Sequence, residues 1–309
     1  MAFSFVPADI SIRFLPRKLL FFVFSTMLFL ASVGLFLVHG LNYGIDFKGG
    51  ILIEVKTDGP ADIESMRSQL DALGLGDVQL QEFGEPDDVL IRIQKQEGGD
   101  DEQQGAVEAV KSTLGDTVVE YRRTEFVGPT VSQELLIDGV TAVLLAMGAI
   151  LLYIWFRFEW QFGVGAVIAL IHDVVATIGA FSLLGLEFNL STVAAILTIA
   201  GYSINDTVVV YDRVRENLRK FKKMPLEELL DNSINQTLSR TVMTSVTTLL
   251  ALIALFVLGG PVIHDFAFAM IFGVVIGTYS SICLAVPLLV HLSIDRNRSA
   301  EEETAESGA

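Results

Sequence analysis

The sequence predicts a membrane bundle of six transmembrane helices, all-α, with one inserted α+β domain, and three observations carry that reading. Apolar residues make up 51% of the 309 and only 19% are charged, against about a quarter charged in an ordinary soluble domain. The apolar residues gather into six runs of 20 or more, the length a helix needs to cross the hydrocarbon core. After the first run comes a gap of about 95 residues patterned as short strands and helices.

The chain opens with an N-terminal segment, 1–18, ending in Arg13, Arg17 and Lys18. The first span, 19–38, follows. A basic start is shared with signal peptides, but Leu35-Phe36-Leu37-Val38 carries the apolar run past Ala31, so a retained anchor is expected. The segment 39–134 lies on the far side of the bilayer. From His39 to Gln133 it holds eight Lys and Arg against 19 Asp and Glu, so it supplies most of the net charge of −16. Its pattern reads strand Ile51 to Lys56, helix Ala61 to Leu73, strands Asp77 to Phe83 and Val89 to Gln94, helix Glu102 to Leu114, and strand Val118 to Phe126. Asp58-Gly59-Pro60, Gly84-Glu85-Pro86-Asp87 and Gly98-Gly99-Asp100 punctuate the elements. The β-α-β-β-α-β order is that of a ferredoxin-like domain.

Five further spans form the rest of the bundle, 135–292: 135–156, 162–184, 190–212, 238–258 and 266–292, the last with Pro287 as an expected kink. Between the fourth and fifth, Leu226, Leu229, Leu230 and Ile234 recur at helical spacing after Pro225, predicting a short amphipathic helix over 225–235 that lies along the bilayer. The tail 293–309, ending Glu301-Glu302-Glu303 before its last six residues, reads as disordered. The N-terminal cluster, Arg157, the set Arg213, Arg215, Arg219, Lys220, Lys222 and Lys223, and Arg296 with Arg298 fall on one side if the first helix runs from inside to outside. The connections 185–189 and 259–265 carry no Lys or Arg. Both termini are therefore expected to be cytoplasmic, with Trp155 and Trp160 at the interface.

Ionisable groups inside spans are costly and point to ion pathways. Asp206 lies 16 residues, about 24 Å, into the fourth span, with Tyr202, Ser203 and Asn205 beside it. It is either a carboxyl that carries protons or a hydrogen-bonded residue that holds helices together. Arg240 opens the fifth span near the same depth; it pairs with Asp206 or snorkels to the interface. Above it Thr237, Thr241, Thr244, Ser245, Thr247 and Thr248 form a hydroxyl stripe suited to bonds across helices or to a narrow wet path. Asp173 is a second relay carboxylate or a packing partner, with His172 in support, and Asp138 reads as a solvated end residue. Gly273 and Gly277 signal close helix packing. Cys283, the single cysteine, is a small buried residue that cannot form a disulfide within the chain. Asp46-Phe47-Lys48-Gly49-Gly50 reads as a sharp turn at headgroup level between the first span and the first strand.

No phosphate loop, zinc spacing or nucleophile triad occurs, so no enzyme, cofactor or metal is expected, and the negative charge argues against a nucleic-acid partner.

Three stretches carry a resemblance to a known family: Gly44 to Gly50, Gly201 to Asn217 (GYSINDTVVVYDRVREN), and Leu238-Ser239-Arg240-Thr241. Across nearly the whole chain the sequence resembles the SecF members of the SecD/SecF protein-export family, within the resistance-nodulation-division superfamily. The resemblance implies a multi-pass protein of the bacterial inner (plasma) membrane that pairs with SecD and associates with the SecYEG translocon. It implies use of the proton-motive force, with protons as coupling ion, to complete export of unfolded preprotein after the ATPase SecA has started it. It assigns Asp206 as proton carrier and Arg240 as its charge partner, and it places the ferredoxin-like domain in the periplasm, where it handles or moves with the emerging polypeptide. The alternative reading is half of a proton-driven exporter of small molecules or lipids from the same superfamily, whose outer loops are several hundred residues long. A membrane scaffold without a transport cycle leaves Asp206 and the hydroxyl stripe unexplained.

Overall fold

The computed structural model describes residues 11–96, 98–259 and 261–292. The expected disordered tail 293–309, most of the N-terminal segment, and Arg296 and Arg298 lie outside the described residues. In chain order the elements are a 3-10 turn Leu15–Arg17, α1 Lys18–His39, β1 Asn42–Tyr43, α2 Ile45–Lys48, β2 Gly50–Thr57, α3 Ile63–Asp71, β3 Val78–Phe83, β4 Glu85–Ile93, α4 Asp100–Leu114 and β5 Val118–Val127. There follow α5 Pro129–Arg157, α6 Trp160–Leu184, β6 Glu187–Phe188, α7 Leu190–Lys220, α8 Leu226–Leu258, α9 Pro261–Ser280, a π-helical segment Ser281–Ala285, and α10 Val286–Leu288.

Two compact units emerge. One is α/β and comprises Asn42–Ala142 with Glu187–Leu190; the other is helical and takes the remainder. In the α/β unit the order β2-α3-β3-β4-α4-β5 builds an antiparallel four-stranded sheet, β3-β4-β2-β5. Alternation fixes its register. Ile51, Ile53 and Val55 pair with Ile93, Ile91 and Val89 and pack against Met66 and Leu70 of α3 and Val110 and Leu114 of α4. Each such side chain contributes about 1.5–3 kcal/mol by leaving water. Asp62 caps α3, accepting the Ser65 N–H at 3.0 Å. The same unit contains a two-residue parallel ladder, β1 with β6, beside which the rings of Tyr43, Phe47 and Phe188 cluster.

In the helical unit α6, α7 and α9 form the interior, while α1, α5 and α8 keep most of their surface exposed. Among the described residues, six helices are long and apolar enough to cross a membrane. Asp231 on α8 accepts the Phe14 and Leu15 N–H groups at 2.8 and 2.9 Å, tying down the entry to α1. Gly273 and Gly277 perform the close packing their spacing suggests: a Cβ on Gly273 would lie 2.4 Å from the Ile199 side chain, and one on Gly277 3.2 Å from Ser203 Cβ.

Three elements differ from the sequence expectation. The separate amphipathic helix over 225–235 does not exist; that stretch is the first third of a continuous 33-residue α8. Leu229, Leu230, Ser233, Ile234, Thr237, Leu238, Thr241 and Ser245 make one unbroken buried stripe, and no Gly or Pro interrupts it. The fourth helix runs on past 212 to Lys220, because the charged residues after Tyr211 keep a helical register and Val214, Asn217 and Leu218 stay buried. Asn217 then donates to Ser233 Oγ and Gln236 Oε1 of α8, at 2.8 and 3.1 Å. The last helix does not remain α-helical over 266–292. It widens into π turns over Ser281–Ala285, just before Pro287, whose missing N–H cannot continue the ladder. The Tyr211 hydroxyl donates to the Ala285 carbonyl at 3.0 Å, compensating the distorted backbone.

Candidate functional site

The polar core of the helical unit is built from α6, α7, α8, α9 and the π segment. Asp173 on α6 is fully buried at 0% exposure. Its Oδ2 accepts the hydroxyls of Ser203 on α7 at 2.6 Å and Ser280 on α9 at 2.7 Å, and its Oδ1 lies 2.9 Å from His172 Nδ1. This carboxyl joins three helices, and each of its oxygens has a polar neighbour. Thr177 bonds back to the Asp173 carbonyl at 2.8 Å.

Asp206 lies one turn beyond Ser203 on α7 and is 3% exposed. Its Oδ2 is buried without a hydrogen-bond partner. Arg240, at the surface of α8, is near enough to act on it electrostatically, but no ion pair joins the two. Thr241, next to Arg240, also has a buried hydroxyl without a partner. Around these groups run polar contacts between helices: Thr207 Oγ1 with Ser281 Oγ at 2.8 Å, Ser281 Oγ to the Ser203 carbonyl at 3.3 Å, Tyr202 Oη to Ser245 Oγ at 3.4 Å, and Ser245 Oγ with Thr278 Oγ1 at 2.7 Å.

The structure therefore brings Asp206, Arg240, Asp173, Ser203 and Tyr202 into one polar region, and leaves other candidates out. Asn205 is exposed: a helix turns by about 100° per residue, and this step leads away from the interior, whereas the opposite step to Thr207 stays buried. Thr244 bonds to the carbonyls of Arg240 and Thr241 in its own helix at 3.1 and 2.9 Å. Thr248 is half-buried and contributes no polar contact among the described residues. Most of the hydroxyl stripe bonds to its own backbone; Ser245 alone makes the cross-helix contacts described above. Ser280, Ser281 and Thr278 went unrecognised in the sequence, since serines in an apolar helix give no sign of which neighbouring helix they face. Asp138 is exposed.

A second, separate feature is the turn at the start of the α/β unit. Gly49 and Gly50 have φ of +70° and +124°, and a Cβ on Gly50 would sit 2.5 Å from the Ile93 carbonyl oxygen, so the second position admits only glycine. Asp46 Oδ2 accepts the N–H of Leu190, the first residue of α7, at 2.9 Å, and Gly44 N–H donates to the Phe188 carbonyl. The acidic residue thereby satisfies one of the N–H groups left open at the start of α7.

Residues 106–295 match the family Protein export membrane protein SecD/SecF, C-terminal, and residues 34–61 match the SecD/SecF GG Motif. Among curated relatives, the protein translocase subunit SecF of Magnetococcus marinus is 52% identical over 285 residues, covering 90% of this chain and 92% of its own. The Rickettsia bellii subunit is 47% identical, covering 92% and 94%, and that of Vibrio alginolyticus 44% identical, covering 99% and 98%. Of solved structures, SecDF from Thermus thermophilus, described as a translocon-associated membrane protein, superposes with a TM-score of 0.84 at 39% identity. The match covers 92% of this chain and 39% of that one, so this chain spans about two fifths of it. A SecDF structure in a super-membrane-facing form gives a TM-score of 0.68 at 38% identity, covering 96% and 40%.

Proposed function

Since this chain belongs to the SecD/SecF family of protein-export membrane proteins, a multi-pass group with a role in Sec-associated translocation, we propose that it works with SecD to convert the proton-motive force into late stages of preprotein export. In this reading it sits in the bacterial inner membrane with both termini cytoplasmic, beside the SecYEG translocon and downstream of SecA. The α/β unit, with its β3-β4-β2-β5 sheet, is a ferredoxin-like periplasmic domain that meets the unfolded preprotein.

The observation that carries the reading is the unfilled oxygen of Asp206. A buried carboxyl that holds no hydrogen bond at Oδ2 can take a proton there without breaking a structural contact. Arg240 acts on it without being bound to it, so a small helix movement changes their separation and with it the balance between the protonated and ionised forms. Asp173, bonded to Ser203 and Ser280, holds α7 against α6 and α9 so that the movement is transmitted and not absorbed. One proton crossing about 180 mV supplies roughly 4 kcal/mol, enough to shift a two-state helix arrangement about a thousandfold. SecD is the partner because the structural neighbours are SecDF proteins more than twice as long as the matching part.

The test is export into inverted vesicles that contain SecYEG, SecA, SecD and this chain. The wild type should speed the late, ATP-independent stage when a proton gradient is applied; equal rates with and without the chain would overturn the reading.

A further inference from the structure

The α/β unit is acidic overall, with 19 Asp and Glu against eight Lys and Arg between His39 and Gln133. Three of its cations answer that charge directly: Lys56 pairs with Asp87, Arg122 with Asp88 and Arg123 with Glu125. Three others, Lys48, Arg92 and Lys95, converge on one cleft of about 290 Å³. Asp77 is the single acid lining it, and the Asp77 carboxylate is engaged by Gln79 Nε2 at 3.0 Å.

Arg92 is mostly buried and spends one arm on Glu187 at 2.6 Å, leaving its Nε–H buried without a partner. Lys48 and Lys95 are exposed and join no ion pair among the described residues. Their approach follows from the glycine pair. Gly50 packs against the Ile93 carbonyl and lies 3.4 Å from Lys95 N at the position of a Cβ, a clearance that any side chain would close. Thus the turn that joins the first span to the sheet also assembles an anion-seeking cleft in an acidic domain.

Its place along the chain sets the ligand. Tyr43, on the cleft wall, follows the end of α1 at His39 by four residues, and Glu187 stands three residues from the end of α6 and three from the start of α7. Four extended residues reach at most about 14 Å, so the cleft is tethered close to where the helices leave the hydrocarbon. Phosphates of lipid headgroups occupy that level. We propose that the Lys48–Arg92–Lys95 cleft binds the phosphodiester of an anionic phospholipid headgroup. The two free ammonium groups attract the phosphate, and the unpartnered Nε–H of Arg92 offers a directed hydrogen bond.

Native mass spectrometry of the full chain in micelles titrated with phosphatidylglycerol tests this. Wild type should retain one tightly held phosphatidylglycerol, and K48Q/K95Q should weaken that first binding step about thirtyfold, two surface cations being removed. Lys111→Gln, a lysine of the same unit outside the cleft, should leave it unchanged, and circular dichroism should show all variants folded alike. Glycerol phosphate should compete only at concentrations far above the lipid. Equal retention by K48Q/K95Q, an equal loss in Lys111→Gln, or competition by glycerol phosphate or inorganic phosphate at lipid-like concentrations would overturn the proposal, the last by pointing to a soluble phosphate.

Discussion

Two buried carboxyls on neighbouring helices of the same unit have opposite surroundings. Asp173 has two serine hydroxyls on one oxygen and a histidine nitrogen beside the other. Asp206, one helical turn from Ser203, keeps a buried oxygen with no donor at all. Burial is nearly the same, so burial is not what distinguishes the two. Hydrogen bonding separates them: Asp173 is a joint among helices, whereas Asp206 Oδ2 carries no hydrogen bond.

The comparison can be broken most forcefully at Asp173. Asp173→Ala strands the Ser203 and Ser280 hydroxyls and should destabilise the helical unit by about 2–3 kcal/mol, read as earlier thermal unfolding in detergent. Ser280→Ala removes one of those bonds and should cost about 1 kcal/mol or less, with the loss coupled to Asp173 in a double-mutant cycle. Thr241→Val sharpens the other side: its hydroxyl has no partner, so an isosteric apolar group should leave stability unchanged or raise it by about 0.5 kcal/mol.

The smallest effect belongs to a half-buried carboxylate at the surface of the α/β unit. The Lys56 ammonium bonded to Asp87 lowers the Asp87 carboxyl below the usual carboxylate range, and Asp87 in turn raises Lys56. The contribution of Asp87 is therefore present above the unfolded-state value and fades as pH falls through its depressed folded value. That of Lys56 is complete below its unfolded value and fades as pH rises through the raised one. Both groups are only half-buried and solvent screens the pair, so Lys56→Met should leave hydrogen exchange of the β3–β4 hairpin almost unchanged at neutral pH.

The sequence made the spans legible because bilayer thickness sets a length that composition alone can reveal, and it made the β-α-β-β-α-β order legible because period-two runs and glycine turns alternate with helical ones. It also marked Asp206 and Arg240, since charge inside an apolar run stands out. It did not disclose that Ser280 and Ser281 complete the polar core: they sit about 75 residues from Ser203 and Thr207, and such contacts follow from helix packing, not spacing. Asn205 was drawn in by adjacency and lies on the wrong face. The two-residue ladder of β1 and β6 is too short for any periodicity to register. Pro287 signalled a kink; the observed π turns sit just ahead of it, where Tyr211 reaches the Ala285 carbonyl.

That Asp206 is retained for proton transfer and not for packing is tested most directly by Asp206→Asn, with unfolding and gradient-driven export measured on the same preparation. The account predicts unfolding at or above the wild-type temperature, because no hydrogen bond at Oδ2 is lost, together with loss of the response to an applied proton gradient and an intact ATP-driven stage. Earlier unfolding by several degrees with a wild-type response to the gradient would contradict it and make Asp206 a structural residue like Asp173.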